Sequence, residues 1–330
     1  MYKYIYWFKK SPQQKYKPVI LITGCGSGIG LALAELFYSL NQYRVCVTAR
    51  SRSIIHLKNK FTENENFRIL ELDVNNLDSR LNLIQEIQST WGSIDILINN
   101  AGISFRSVVE HMTEADELLQ MNTNYFGPMA LIRLVLPSMR AKGRGKIINI
   151  SSVSGMLAMP TMASYSASKY ALEGATESLW YEMRPFGVDV CLVQPGFIKS
   201  ESFKNVYYSE KAWLSELSEG PYSILYQSMS PFVAKLMKLS RSNPEKIADL
   251  ILDVIQTIRP PLWIPATFDA EFFYYLRRLM PRRLIQPFLF YCLPGTSKWG
   301  ENFTYRRRGI LYYIVKRLYH FFSKSEKSAP

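Results

Sequence analysis

A tyrosine and a lysine stand four residues apart in the segment Tyr165-Ser166-Ala167-Ser168-Lys169. Tyrosine is a poor acid or base at neutral pH because its reference pKa is about 10. Residues four apart project from the same face of a helix, and a nearby ammonium lowers the pKa of a phenol by favouring the phenolate. The pair therefore predicts proton transfer at Tyr165. A lone tyrosine is more often a packed aromatic residue, so the neighbouring motifs decide between these interpretations.

A glycine-rich turn, Thr23-Gly24-Cys25-Gly26-Ser27-Gly28-Ile29-Gly30, follows the first apolar run and precedes apolar residues at helical spacing. Glycines let the backbone turn tightly and approach a pyrophosphate, whose charge is met by N–H groups at the helix N-terminus. Such a sequence can also be only a turn. Its place between the first strand and the first helix favours a dinucleotide site.

Strand-like runs alternate with helical spacing through most of the chain. Strands are predicted at residues 19–23, 44–49, 67–72, 94–98, 146–150, 188–193 and 261–266. Helices are predicted at residues 77–91 and 165–183, with another ending near Lys142 and one opening at Asn243-Pro244-Glu245. This alternation predicts an α/β fold, a doubly wound Rossmann-type parallel sheet of about seven strands with helices on both faces.

Three regions are predicted from these patterns. Residues 1–16 form a basic, aromatic N-terminal extension, residues 17–266 the catalytic domain, and residues 267–330 a helical, basic C-terminal extension. The chain has 330 residues, 48% of them hydrophobic and 20% charged, which is ordinary for a folded soluble protein. Its four cysteines form no CxxC pair, so we expect neither a zinc site nor a disulfide framework, and a reducing compartment.

Five motifs carry a resemblance to a known family. They are the TGxxxGIG pattern ending at Gly30, Asn99-Asn100-Ala101-Gly102, Asn124-Tyr125-Phe126-Gly127, Ser152 placed thirteen positions before Tyr165-x-x-x-Lys169, and Pro195-Gly196. In these motifs, which span residues 23–196, the chain resembles the short-chain dehydrogenase/reductase family. The resemblance implies an NAD(P)-dependent oxidoreductase that interconverts a carbonyl compound and an alcohol.

The resemblance also implies roles for individual residues. The catalytic set is Asn124, Ser152, Tyr165 and Lys169. Ser152 would orient the substrate oxygen, and Asn124 would distort its helix and hold a water that links Lys169 to solvent. The implied cofactor-binding residues are Thr23, Gly24, Gly26, Ser27, Gly28, Ile29, Gly30, Arg50, Asp73, Val74, Asn100, Ala101, Gly102, Tyr165, Lys169, Pro195, Gly196 and Ile198.

Two asparagines after the fourth predicted strand and the three histidines are considered next for structural, cofactor-binding or metal-binding roles. Asn99 is expected to tie neighbouring strands through backbone groups, and Asn100 to line the cofactor. His56, His111 and His320 have no partners at ligand spacing, so we expect all three at the surface and no metal site.

The end of the second strand bears on the choice of cofactor. Ala49 stands where NAD enzymes of this family usually have an aspartate for the ribose 2′-hydroxyl. Arg50 follows, and a guanidinium favours the 2′-phosphate of NADP. We therefore expect NADP(H), with NAD(H) as the alternative; Arg50 as a mere helix cap is the other interpretation.

Two segments are expected to form the substrate pocket. Residues 155–163 and 200–242 are rich in Met, Tyr, Phe and Leu, which suits a lipophilic substrate and equally suits ordinary core and lid packing. The members are Met156, Leu157, Met159, Met162, Phe203, Tyr207, Tyr208, Trp213, Tyr226, Met229 and Phe232. The overall pattern is most similar to the 17β-hydroxysteroid and retinol dehydrogenase branch. Ketoacyl-type reductases of lipid metabolism and a non-catalytic binding protein are the alternatives.

The two ends of the chain carry much of its net charge of +13. In the tail, apolar residues from Leu311 to Phe322 recur at helical spacing with basic residues on other faces. Such a helix can lie in a membrane interface, dock against the core or bind a second subunit. We expect membrane contact through residues 305–330 and no nucleic-acid binding, since no binding module is present.

Neither an export signal nor a membrane-spanning stretch is recognisable in the sequence. We therefore expect a cytoplasmic protein, at the cytosolic surface of a membrane. The family resemblance implies a homodimer or homotetramer, joined through the helices that bear Asn124 and Tyr165.

Overall fold

The computed structural model describes residues 16–199, 206–217 and 220–300. Seven parallel strands form one sheet in the order β3-β2-β1-β4-β5-β6-β7. They are β1 Val19–Ile22, β2 Arg44–Ala49, β3 Phe67–Glu71, β4 Ile96–Asn99, β5 Gly145–Ile150, β6 Val188–Gln194 and β7 Trp263–Pro265. The order reverses between β1 and β4, and at such a switch point parallel α/β sheets open a crevice at the carboxyl ends of their strands.

Helices cover both faces of the sheet. They are α1 Gly28–Leu40, α2 Ser51–Lys60, α3 Leu77–Trp91, α4 Glu114–Met121, α5 Gly127–Lys142, α6 Ala163–Met183, α7 Glu210–Leu217, α8 Ser223–Leu239, α9 Pro244–Gln256, α10 Phe268–Leu279 and α11 Arg282–Cys292. A π-helical turn, Asn122–Phe126, joins α4 to α5.

The side chains of each strand alternate between two apolar cores. Val19 and Leu21 belong to the core that packs with α3, α5 and α6, whereas Ile20 and Ile22 belong to the core beneath α1 and α9. All four are fully buried. Burying such a side chain stabilises the fold by about 1.5–3 kcal/mol, and a strand buried on both faces is why the sequence shows a continuous apolar run instead of alternation.

The predicted α/β fold is confirmed, and each of the seven predicted strands is present with ends shifted by a few residues. Helix α5 ends at Lys142 because Gly143 adopts a left-handed conformation, with φ 63°. The sequence did not predict α2, nor that the segment after Pro195 would contain α7 and α8. Helices α10 and α11 bear out a helical extension as far as Cys292.

Several expectations fall on residues outside those described. The tail segment 305–330, His320, Phe203 and all but the last residue of segment 1–16 lie there. Among the residues that are described, no helix is long and apolar enough to span a bilayer. Within the same part of the chain, Cys25, Cys46 and Cys191 are buried free thiols, and Cys292 is an exposed one.

Candidate active site

The predicted motifs meet at the carboxyl edge of the sheet. The glycine-rich turn follows β1, Asn99 ends β4, Ser152 follows β5 and Pro195 follows β6. Because all strands are parallel, these ends lie on one side of the molecule. Helix α6 brings Tyr165 and Lys169 to the same edge in its first two turns.

The glycine-rich turn is shaped by close backbone approaches. Gly24 has a φ of 73°, a left-handed conformation that favours glycine, and a Cβ there would lie 2.7 Å from the Ala101 Cα. A Cβ on Gly30 would lie 2.3 Å from the Gly24 oxygen. Ser27 precedes α1 without capping it through its side chain, and the first turn contains no acid. The N-terminal N–H groups of α1 therefore remain suited to an anion.

Asn100 holds the turn in place. Its Nδ2 donates to the carbonyl oxygens of Thr23 and Gly24, at 2.9 and 3.0 Å, and the Thr23 Oγ1 accepts from the backbone N–H groups of Asn100 and Ala101, both at 3.0 Å. The expectation that Asn100 chiefly lines the cofactor is thus incomplete, since its amide ties the β1 and β4 loops together. It positions the turn that would hold a cofactor.

Asn99 ties strands by a different route from the one predicted. Its Nδ2 donates to the Asn149 Oδ1 at 2.8 Å, and the Asn149 Nδ2 donates to the Thr176 Oγ1 at 2.8 Å. The link is therefore made by side-chain amides and reaches α6, whereas backbone groups were expected to carry it. This buried chain fixes β4, β5 and α6 relative to one another.

Asn124 lies in the π-helical turn, which agrees with its predicted helix distortion. Its Oδ1 accepts from the Ile103 N–H at 2.8 Å, and its Nδ2 donates to the Ile103 oxygen and the Ser168 Oγ, both at 2.9 Å. A Cβ built on Gly102 would lie 3.2 Å from the Asn124 Oδ1 and 3.8 Å from the Lys169 Nζ. Asn124 and Lys169 therefore flank the same point; the water expected between them stays a prediction.

Tyr165 and Lys169 are neighbours on α6. The Lys169 Nζ lies 5.8 Å from the centroid of the Tyr165 ring and donates to the Ile150 oxygen at 2.9 Å. Burial raises the pKa of Tyr165, and its hydrogen bond with Ser152 acts in the opposite direction. Desolvation therefore sets the direction of this pKa shift, and the lowering expected from Lys169 stays a prediction.

Ser152 connects the strand end to Tyr165. It comes two residues after β5, and its Oγ also accepts from the Ser154 N–H at 3.1 Å. The hydroxyl thus lies beside the Tyr165 hydroxyl, as the family resemblance implied. Two hydroxyl groups at one place can bind a single carbonyl or alcohol oxygen.

Glu173 is a buried carboxyl group that the sequence reading passed over. Its Oε1 accepts from the Ser151 Oγ at 2.7 Å and from the Gln194 Nε2 at 2.8 Å. Burial raises the pKa of Glu173 to about 7, and burial lowers the pKa of Lys169 to about 8, with the charge of Glu173 opposing that shift. The signal was available, since Glu173 follows Lys169 by one helical turn.

Three predicted cofactor-binding residues, Arg50, Asp73 and Val74, follow the ends of β2 and β3. Arg50 is exposed and immediately precedes α2, whose first turn contains no acid. Asp73 is exposed and its Oδ1 accepts from the Asn75 N–H at 2.9 Å, while Val74 is buried against Gly127. Arg50 therefore occupies a cap position, which leaves its exposed guanidinium able to meet a phosphate.

The loop after β6 depends on residues beyond the predicted domain boundary. The Gly196 N–H donates to the Thr267 Oγ1 at 2.9 Å, and the Phe197 N–H donates to the Asp269 Oδ2 at 2.8 Å. Ile198 is buried. The first turn of α10 is thus part of the site, although the sequence assigned it to an appendage.

Helix α8 packs on the loop that follows β4 through Tyr226. The Tyr226 hydroxyl accepts from the Val108 N–H at 2.9 Å and lies 3.2 Å from the His111 Nδ1. His111 is partly buried and stacks on Tyr226, whereas His56 is exposed as expected. Of the predicted pocket residues, Met156, Tyr226 and Met229 are buried. The exposed ones include Tyr207 and Trp213.

The family model for short chain dehydrogenases matches residues 18–211. A 3-ketodihydrosphingosine reductase from Bacteroides thetaiotaomicron is 37% identical over 246 residues, which are 74% of this chain and 85% of that protein. A protein from Xenopus tropicalis named dehydrogenase/reductase SDR family member 7B is 38% identical over 273 residues, covering 80% of this chain and 82% of that protein.

Solved structures share the architecture. A short-chain dehydrogenase from Streptomyces avermitilis matches with a TM-score of 0.68 and 28% identity, over 84% of this chain and 98% of that one. ElxO with NADP bound matches with a TM-score of 0.58 and 26% identity, over 76% and 98% of the two chains. A short-chain dehydrogenase/reductase from Burkholderia phymatum in complex with NAD matches with a TM-score of 0.65 over 80% and 92% of the chains, and at 23% identity supports the fold alone.

Proposed function

Because the chain belongs to the short-chain dehydrogenase/reductase family and is therefore an NAD(P)-dependent oxidoreductase, we propose that it reduces a lipophilic ketone or aldehyde with NADPH. The observation that carries this proposal is the meeting of Ser152, Tyr165 and Lys169 beside the glycine-rich turn. A protein that only bound a ligand would not need an acid, a substrate-orienting hydroxyl and a buried ammonium together.

The residues present fit a nicotinamide dinucleotide. Side chains on Gly24 or Gly30 would fill the turn after β1, and α1 begins without a side-chain cap. The turn Thr23–Gly30, together with Ala101, Gly102 and the loop Pro195–Ile198, would hold the cofactor, which supplies or accepts a hydride when bound.

The proton is handled by this chain's own residues. In reduction, Tyr165 donates its hydroxyl proton to the substrate oxygen while a hydride reaches the carbonyl carbon, and Ser152 donates a hydrogen bond to that oxygen. The Lys169 ammonium has three N–H groups, of which one donates to Ile150. The others can stabilise the phenolate left on Tyr165.

Preference for NADPH over NADH is supported at the start of α2. Ala49 offers no carboxylate to a ribose 2′-hydroxyl, and exposed Arg50 follows it. With no acid in the first turn of α2, a 2′-phosphate would meet a guanidinium and helix N–H groups.

The substrate is proposed from composition and from relatives. Met156, which follows Ser152 by four positions, and Tyr226 and Met229 of α8 are buried, which supports an apolar pocket. The Bacteroides relative named 3-ketodihydrosphingosine reductase favours a long-chain 3-keto lipid. Steroids and retinoids are the second candidates, since that branch resembles this chain in its motifs and is compatible with the match to family member 7B.

A kinetic test follows from the mechanism. Consumption of NADPH is measured with 3-ketodihydrosphingosine, steroid ketones and retinaldehyde, for the parent, Tyr165→Phe and Tyr181→Phe. Removing a general acid lowers kcat by about 100- to 10,000-fold. Tyr181 lies on the same helix and is 63% exposed, so its loss should leave kcat unchanged. Equal turnover by the parent and Tyr165→Phe would show that Tyr165 is not the acid.

We also propose that the protein is a cytoplasmic homodimer or homotetramer. The buried free thiols of Cys25, Cys46 and Cys191 support a reducing compartment. Leu118, Leu119 and Phe126 are exposed on α4 and the adjoining π turn, which supports a subunit interface near Asn124. Sedimentation of the parent should give a dimer or tetramer, and Leu118→Glu should weaken it; a monomer throughout would contradict the assembly.

A further inference from the structure

Helix α10 is apolar on two opposite faces. One face is packed inward, where Ala270, Phe273 and Tyr274 contact the cluster of Val153 and Met156. The other face consists of residues spaced by four, three and four positions, which places them on one line along the helix. They are Phe268, Phe272, Tyr275 and Leu279, exposed to 75%, 49%, 45% and 81%.

Helix α11, which contacts α10, repeats this pattern. Leu284, Phe288 and Tyr291 follow at intervals of four and three residues and are exposed to 48%, 44% and 53%. A soluble helix normally places polar residues on its outer face. Exposed apolar residues on two contacting helices indicate an interaction surface for a protein, a membrane or a ligand.

The charge of this region restricts what that partner is. Residues 268–300 contain five basic residues, Arg277, Arg278, Arg282, Arg283 and Lys298, and two acidic ones, Asp269 and Glu271, both in the first turn of α10. The region is therefore basic overall. A second copy of the same surface would bring basic residues against basic residues. The tail of this chain is disfavoured for the same reason, because residues 301–330 contain seven Lys or Arg and two Glu.

We propose that the exposed faces of α10 and α11, called here the α10–α11 surface, rest on an anionic lipid membrane. Exposed Phe, Tyr and Leu side chains would enter the boundary between headgroups and acyl chains, while the exposed Arg283 would face the anionic headgroups. The surface adds to the membrane contact expected of the tail and is independent of it.

The position of α10 gives this contact a consequence for catalysis, which rests on the proposed function. The inward face of α10 packs on Val153, the residue after Ser152, and its first turn holds the loop at Gly196. A lipophilic substrate dissolved in the membrane would therefore have one helix width to cross before it reaches the site.

Vesicle binding of the full-length protein tests the proposal. Sedimentation is measured with vesicles of phosphatidylcholine alone and of phosphatidylcholine mixed with phosphatidylserine, for the parent, F268Q/L279Q and the control V109Q/L77Q. The control residues are also exposed apolar side chains, at 75% and 58%. Loss of two inserted side chains should lower binding to the mixed vesicles by about tenfold or more, with the control unchanged.

A charge variant separates lipid headgroups from other partners. Arg283→Gln should weaken binding to the mixed vesicles by about fivefold and leave weak binding to phosphatidylcholine unchanged, whereas Arg68→Gln, exposed on β3, should have no effect. These results would support the proposal whether or not the enzyme turns over a given substrate.

Three outcomes would overturn it. Unchanged vesicle binding of F268Q/L279Q would assign the contact to the tail alone. Conversion of an oligomer to a monomer by F268Q/L279Q without vesicles would make the surface a subunit interface. Equal loss of binding in V109Q/L77Q would remove any special role of α10. Unfolding temperatures of all variants, measured beside the parent, identify any loss that comes from misfolding.

Discussion

At the residue scale, the opposite charges of Glu173 and Lys169 each oppose the pKa shift that burial causes in the other. They lie one helical turn apart on α6, and both side chains are buried. Burial lowers the pKa of Lys169 to about 8 and raises the pKa of Glu173 to about 7. Both groups are therefore charged chiefly in the narrow range between these values. We infer that Glu173 is a positioning residue whose negative charge favours the protonated form of Lys169.

Replacing this carboxylate should move the pH profile of the enzyme. Without the negative charge of Glu173, the pKa of Lys169 falls further below its ordinary value, so Glu173→Gln should lose kcat at a lower pH than the parent on the alkaline side. Glutamine can still accept the hydrogen bonds of Ser151 and Gln194. Glu177→Gln, exposed one turn further along α6, is the matched control. A profile identical to the parent's would mean that Glu173 does not act on Lys169.

Stability should depend on pH through the same group. The pKa of Glu173 is raised in the folded state, so its contribution is fully present below the ordinary value of 4.5 and is lost as pH rises through about 7. The shift corresponds to a loss on the order of 3 kcal/mol. Thermal unfolding from pH 4.5 to 8 should show this decline in the parent and a flatter curve in Glu173→Gln. If the unfolding temperatures of the two proteins change with pH in the same way, Glu173 is not the cause of the decline.

Arg50 offers a second test at this scale. Arg50→Ala should raise the KM for NADPH by about 10- to 100-fold, because hydrogen bonds to a charged group contribute about 1.5–3 kcal/mol, and should leave the KM for NADH within a factor of about two. Steady-state kinetics with both cofactors measures the difference. An equal rise with both cofactors would contradict selection of the 2′-phosphate by Arg50.

Residue identities were predictable where a motif fixed the spacing, as for Ser152, Tyr165 and Asn124. Their contacts were less so. Asn99 ends β4 and Asn100 follows it, and only the packing of neighbouring segments decides that one amide reaches Asn149 and the other the glycine-rich turn. Likewise, the direction of the Lys169 ammonium depends on a free backbone oxygen at Ile150, which no spacing reveals.

At the scale of elements, one atom, the Thr267 Oγ1, both caps the N-terminus of α10 and binds the loop after β6. The Thr267 Oγ1 accepts from the Ala270 N–H at 3.3 Å, as a helix cap, and from the Gly196 N–H at 2.9 Å. One side chain thus joins the start of a helix to the loop after β6. Its removal should affect both stability and cofactor binding.

Thr267→Val tests that joint role. The free energy of unfolding should fall by about 1–3 kcal/mol, because an N-cap and a buried acceptor are lost, and the KM for NADPH should rise several-fold. Thr113→Val removes a comparable cap, the one that accepts from Asp116 at the start of α4, and should lower stability without changing that KM. The same KM change in both variants would reduce Thr267 to an ordinary cap.

Elements with a strong apolar pattern could be predicted, and the others could not. The strands are short segments rich in apolar residues, of which Val19–Ile22 of β1 is a continuous apolar run, so their order along the chain could be predicted. Helix α2 buries Leu57 and little else, which leaves no apolar stripe to recognise. The helices α7 and α8 lie in a segment of mixed Ser, Tyr and Met. The π turn at Asn124 continues α4 into α5, and its distortion was predicted only from the family resemblance, not from an apolar pattern.

For the whole molecule, the boundary predicted after residue 266 separates groups that are in contact. Phe273 and Tyr274 of α10 pack on Val153 and Met156, and Thr267 and Asp269 accept from the loop after β6. The catalytic domain and the first part of its extension therefore share one structure. The free energy of unfolding of truncated chains measures whether the catalytic domain folds without this extension.

Truncation at two positions answers it. A chain ending at Ala266 exposes the residues that α10 covered and leaves the Gly196 and Phe197 N–H groups without their acceptors, a loss of about 3–6 kcal/mol that lowers the unfolding temperature by about 10 °C or more. A chain ending at Gly300 keeps these contacts and should unfold within a few degrees of the parent, with kcat for a water-soluble ketone retained. If the shorter chain matches the parent in unfolding temperature and kcat, the boundary after Ala266 is a true domain boundary and α10 is dispensable. If it loses both while the longer chain keeps them, the catalytic unit includes α10, and the dispensable segment begins beyond Gly300.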